Sequence, residues 1–124
     1  MNIVPCCGVC NLGRLSVEAG RIITDQNDGN LFSLGSVAAG FEHLEKIENI
    51  LVIDGCEKAC AATVLRSLHV EIKWSLIVSR LGIEKSEDGP TSEDDLVLVV
   101  DGVEAACADL GDQIPNVNGS CGCC

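Results

Sequence analysis

Ile50-Leu51-Val52-Ile53-Asp54-Gly55-Cys56 decides the fold. Four apolar residues in a row, closed by an Asp-Gly turn, read as a short strand buried on both faces, and such strands belong to parallel sheets. From Cys56 onward the apolar residues Cys60, Val64 and Leu68 return at every fourth position, so a helix is expected to start almost directly after the strand. A buried strand feeding a helix is half of a βαβ unit.

The same alternation extends outward in both directions. Ile3 and Val4 before Pro5 read as the end of a first strand. A glycine-bearing loop, 8–13, then leads into a helix that carries Leu12, Leu15, Ala19, Ile22 and Ile23 on one face. Asn27-Asp28-Gly29-Asn30 is a turn signal, and Val37, Phe41, Leu44 and Ile47 predict a second helix. After the central strand and its helix, Val70, Ile72, Trp74, Leu76 and Val78 alternate with Glu71, Lys73, Ser75 and Ile77, the period of a strand. Past a loop around Gly89-Pro90, Ser92 can cap a last helix with Glu93, Asp94 and Asp95 in its first turn. Leu96, Val100, Val103, Cys107 and Leu110 would form its buried stripe.

Strands alternating with helices imply a three-layer α/β fold, Rossmann-like or flavodoxin-like, with a mostly parallel sheet and helices on both faces. Its ligand site should lie beyond the carboxyl ends of the strands. Residues 1–111 are expected to form this single domain. Residues 112–124 contain Pro, Asn, Gly, Ser and three cysteines without periodicity, the composition of a flexible Cys-rich tail.

Composition narrows the function classes. Apolar residues make up 47% of the 124 but aromatics only 2%, so Leu, Ile, Val and Ala must build the core. Eight basic against nineteen acidic residues give a net charge of −11, which repels polyanions and argues against nucleic acid and anionic membrane as partners. No run approaches the roughly eighteen apolar residues of a membrane span, and the first residues lack the pattern of a secretory signal. A cytoplasmic location is the expectation. There, nine cysteines point to metal or redox chemistry before structural disulfides.

Cys56 and Cys60 form the most informative pair. On a helix, a spacing of four places the sulfurs about 5–6 Å apart, within reach of one metal ion. If Cys56 opens that helix, the exposed backbone N–H groups favour its thiolate. The alternative for Cys60 is that it fills the core behind the strand. Cys6, Cys7 and Cys10 stand at the mouth of the first strand, where a parallel sheet can bring their loop beside that of Cys56. Two of Cys6, Cys7 and Cys10 could thus join Cys56 and Cys60 in a four-thiolate cage for zinc, and Cys121, Cys123 and Cys124 could close over a bound ion. The same soft donors suit an iron–sulfur cluster. Cys7-Gly8-Val9-Cys10 is also the layout of a redox dithiol, so thiol redox or sulfur transfer through Cys7 and Cys10, or through the tail cysteines, stays open. Cys107, in the apolar stripe of the last helix, reads as structural. His43 and His69 have no partner at metal spacing. The 8–13 loop lacks the Lys and Ser/Thr of a phosphate loop, since Arg14-Leu15 stands in their place.

The sequence resembles the DGC-domain family, named for an Asp-Gly-Cys motif and described as zinc-binding. The motif is Asp54-Gly55-Cys56, preceded by the apolar strand and followed by Ala59-Cys60-Ala61. Pro5-Cys6-x-Gly8, Asn11-x-Gly13 and Gly82-Ile83-x-Lys85 are similar to the family's pattern as well, so the likeness runs to about Leu110. The resemblance implies a cysteine metal site with Cys6, Cys56 and Cys60 as ligands. Family members usually carry a further cysteine between the first two helices, whereas this chain has none from Asn11 to Gly55. Cys10, Cys7, a tail cysteine or an exogenous group would then supply the fourth ligand.

Overall fold

In a computed structural model, which describes residues 1–87 and 90–108, the chain forms four strands and four α-helices. In chain order these are β1 (Asn2–Pro5), α1 (Asn11–Gln26), β2 (Asn30–Leu31), α2 (Leu34–Ala38), β3 (Ile50–Asp54), α3 (Cys60–Ser67), β4 (Trp74–Ile77) and α4 (Glu93–Ala108), with a 3-10 turn over Val78–Leu81. The strands are all parallel and lie in the order β2-β1-β3-β4. Every residue of β3 is buried, as its apolar run requires, because β3 has a neighbour on each edge and a helical layer on each face.

Two separate cores make the three layers. Ile3, Leu51 and Ile53 pack with Leu12, Leu15, Ala19 and Ile23 of α1 and Val99 and Val103 of α4. On the opposite face Val4, Ile50, Val52 and Ile77 meet Leu34 and Val37 of α2 and Ala61, Ala62 and Leu65 of α3. The chain leaves β1 for β2 through α1, then crosses back to β3 and on to β4 through α2 and α3. A right-handed crossover in each direction places the helices on opposite faces. The order follows the flavodoxin-like arrangement, and its direction reverses between β1 and β3, whose carboxyl ends are adjacent.

Local details depart from the pattern read in sequence. The second helix stops at Ala38 instead of running to Ile47, because Gly40 takes φ +84° and closes a Schellman motif. In that motif the Phe41 N–H donates to the Ser36 carbonyl at 2.9 Å and the Gly40 N–H to that of Val37 at 3.2 Å. Phe41 is consequently 81% exposed rather than part of a helical stripe. Helix α3 begins at Cys60, four residues later than expected, and buries Ala61, Ala62 and Leu65 rather than the face of Cys60, Val64 and Leu68. The strand expected from Val70 is regular only over Trp74–Ile77, and its Ser75 and Ile77 are buried. Strand β2, with two residues, had no readable pattern. In α4, Ser92 accepts the Asp95 N–H through its hydroxyl at 3.1 Å, as its capping role predicts. Val99 and Val103 are its buried residues, with Leu96, Val100 and Cys107 packed more loosely beside them.

The 112–124 tail, with Cys121, Cys123 and Cys124, and also Leu110, lie outside the described residues. Among the described residues, no helix is long and apolar enough to cross a membrane. An open groove between α1 and α4 is lined by Ile22, Leu96, Val97 and Val100, with no cysteine among the described residues that line it.

Candidate functional site

The carboxyl ends of β1 and β3 carry the two cysteine-bearing loops. Cys6 continues the β1 ladder past its last pair, donating its N–H to the Ile53 carbonyl at 2.8 Å, and its side chain is 1% exposed. Cys7 is exposed. Cys10 is the N-cap residue of α1 and is also 1% exposed. On the neighbouring loop Cys56 is buried, and Cys60 is half-buried at the first position of α3. Cys10 and Cys56 are members of one buried cluster on the α1 side of the sheet, which includes neither Cys6 nor Cys60. Both Cys10 and Cys56 are disulfide-bonded, whereas Cys6, Cys7, Cys60 and Cys107 keep their thiols.

This arrangement corrects the helical geometry expected of Cys56 and Cys60. Residues 55–59 form a turn, in which the Ala59 N–H donates to the Cys56 carbonyl at 2.9 Å, so the two sulfurs do not share a helical face. Nor does Cys56 sit on the helix N-terminus. Those N–H groups are taken by Asp54, whose Oδ1 accepts from Ala61 at 2.8 Å and whose Oδ2 accepts from Ala62 at 3.1 Å.

Asp54 is the residue that sequence reasoning missed. It is fully buried, and burial pushes its carboxyl up to about 6 against the pull of the two N–H bonds. Its role follows from where α3 starts. The residue before α3 is Ala59, which has no side chain to cap a helix and which adopts the left-handed conformation at φ 50°. A left-handed alanine costs on the order of 1 kcal/mol, and a cap reaching in from the strand end offsets that cost. The acid of the Asp-Gly-Cys motif therefore anchors the loop that presents Cys56.

The glycine of the motif sets how closely the two loops approach. A Cβ on Gly55 would lie 3.1 Å from the Gly13 nitrogen and from the Leu12 carbonyl carbon, and a Cβ on Gly13 would run into the Gly8 carbonyl. Gly55→Ala is accordingly expected to lower the unfolding free energy by about 1–2 kcal/mol, the cost of overpacking. Urea denaturation of the reduced protein measures it, and an unchanged midpoint would show that the loops separate without cost.

A second set of bonds ties both loops to the chain after β4. The Ser79 N–H donates to the Gly55 carbonyl at 3.0 Å. Arg80 makes a two-pronged ion pair with Glu57, Nε to Oε1 and Nη2 to Oε2, both at 3.0 Å. The pairing raises the Arg80 guanidinium and holds the Glu57 carboxyl below its ordinary value. Next to Cys10, Asn11 is 7% exposed. Its Nδ2 donates to the Glu84 carbonyl at 2.8 Å, its Oδ1 accepts the Ser86 N–H at 2.7 Å, and its own N–H donates to the Ser86 carbonyl at 3.0 Å.

The donor set bears on the metal that the sequence suggests. Thiolate sulfur suits zinc or an iron–sulfur cluster, but a disulfide sulfur carries no charge to give a metal, so these residues fit such a group in their reduced form. In the disulfide-bonded state, and among the described residues, no three His, Cys, Asp or Glu side chains are gathered so as to hold an ion. A family model described as DGC domain matches residues 2–103. No curated protein and no solved structure matches the chain.

Proposed function

Since the chain belongs to the DGC domain family, we propose that its reduced form is a cysteine-thiolate metal-binding protein with its site at the carboxyl ends of β1 and β3. Zinc is the first choice of metal. The observation that carries the reading is the meeting of Cys10 and Cys56 in one buried cluster, although they come from different loops at the point where the strand order reverses. Cys10 and Cys56 would be the central ligands, with Cys6 and Cys60 on the same loops completing the set. A bound zinc would supply Lewis acidity if a coordination position stays open, and rigidity if four sulfurs close it. The chain's own part is to hold two thiols in an apolar pocket whose loop positions are set by Asp54 and Gly55. An iron–sulfur cluster on the same thiolates is the alternative metal group.

A second reading is favoured by the disulfides at Cys10 and Cys56, and it is a thiol redox protein. An external dithiol would attack one sulfur, form a mixed disulfide and leave as its own disulfide, giving the protein two thiols for two electrons and two protons. Exposed Cys7 and the tail cysteines are candidates to relay that exchange.

The test is purification under anaerobic, reducing conditions, followed by zinc, iron and acid-labile sulfide measurement per chain. One zinc per chain is expected, released when a thiol-specific oxidant restores the disulfides. A folded, reduced protein that takes up no zinc and rebuilds no cluster would remove the metal reading. Reversible exchange of the same protein with a dithiol would then leave the redox reading standing.

A further inference from the structure

We propose that residues 79–86 act as a brace across the two cysteine loops, with Arg80 and Asn11 as positioning residues that set the approach of Cys10 to Cys56. The proposal rests on the cysteine site just described and identifies what orders it.

The strands fix only the bases of the two loops. Beyond Pro5 and Asp54 each loop leaves the strand before its helix begins. One continuous segment touches both. At its start, Ser79 and Arg80 hold the 55–59 turn through the Gly55 carbonyl and the Glu57 carboxylate, on either side of Cys56. At its end, Glu84 and Ser86 hold the first residue of α1 through the three bonds of Asn11, immediately after Cys10. None of these groups is a sulfur ligand. They share a geometric effect, since tying two loops to a third element raises the effective concentration of one thiol at the other. Preorganisation of this kind serves disulfide formation and metal binding alike.

The experiment compares the full chain with Arg80→Ala, Asn11→Ala and the double variant. Lys73→Ala serves as control, since Lys73 makes a similar exposed hydrogen bond, to Asn49 Oδ1 at 2.9 Å, at the amino end of β4. The first readout is the dithiothreitol concentration at which Cys10 and Cys56 become reduced, followed by alkylation and peptide mass spectrometry. The second is zinc affinity of the reduced proteins in competition with a chromophoric chelator. Removing groups that orient a site typically weakens it by about 10- to 100-fold. The double variant should need about tenfold less dithiothreitol and bind zinc about tenfold more weakly, while Lys73→Ala shifts neither by more than about twofold. Unchanged reduction midpoints in the double variant overturn the brace. If Asn11→Ala does not fold, Arg80→Ala alone decides, with a shift of about threefold in the same direction expected and none overturning the proposal. A parent chain that takes up no zinc counts against the metal-binding function, and the reduction midpoints then decide the brace alone.

Discussion

Replacing Cys56 by serine is expected to weaken zinc binding of the reduced protein by at least about 100-fold, while leaving its circular dichroism near that of the parent. Serine keeps the size of the side chain but removes the soft anionic sulfur that a thiophilic metal requires. The position cannot drift to compensate. Cys56 is two residues beyond the wholly buried strand β3, and its loop is held by Asp54, Ser79 and Arg80. Cys107→Ser is the matched control. Cys107 lies in α4, packed loosely against the same core, and burial pushes its thiol up. Its loss should cost some packing stability and spare the metal. A competition titration against a chelator reads both variants. Should Cys56→Ser bind as the parent does while Cys107→Ser loses the metal, the strand-end site must be abandoned.

Asp54→Ala is expected to lower the unfolding free energy by about 3 kcal/mol. The substitution leaves the Ala61 and Ala62 N–H groups at the start of α3 without their acceptors, and each buried donor so stranded costs about 1–3 kcal/mol. Relief of a desolvated carboxylate offsets part of that loss, which is why the figure lies below the upper limit for two donors. Asp54→Asn separates the two effects. It keeps one carbonyl oxygen as acceptor and removes the buried charge, so its loss should be less than half that of the alanine variant. Urea unfolding of all three reduced proteins, with equal slopes, gives the comparison. Equal destabilisation by alanine and asparagine would mean that charge, and not capping, is what Asp54 contributes.

The layer architecture was legible in the sequence because it depends on apolar periodicity, which is local. The 50–53 run fixed a parallel strand with both faces covered, and the α1 stripe of Leu12, Leu15, Ala19 and Ile23 matched the buried face. The breaks came where a few residues override the period. Gly40 ended α2 at a position where Phe41, Leu44 and Ile47 continued the helical spacing. The turn at 55–59 displaced the start of α3 although Cys56, Cys60 and Val64 kept a spacing of four. Cysteine identity was enough to place candidate ligands at the carboxyl end of the sheet, since strand direction dictates where the β1 and β3 loops emerge. How those cysteines divide, with Cys10 and Cys56 in one cluster and Cys6 and Cys60 outside it, depends on loop conformation. The bonds of Asn11 to Glu84 and Ser86 join positions more than seventy residues apart, and no local pattern announces them.

The strand order also governs when the protein can assemble during synthesis. Strand β1 leads the chain, yet in the sheet it lies between β2 and β3. Its longest pairing, Asn2 to Pro5 against Ile50 to Ile53, therefore waits for a segment made almost fifty residues later. Until then β1 has only the two-residue β2 beside it, and its other edge is unpaired. All-parallel sheets carry this delay because no strand pairs through a tight hairpin, and loop closure must precede the contacts that reward it. For this chain the emergence of the segment that ends in Asp-Gly-Cys is the event that covers the second edge of β1. The stretch that carries Cys56 is thus also the one for which β1 has to wait.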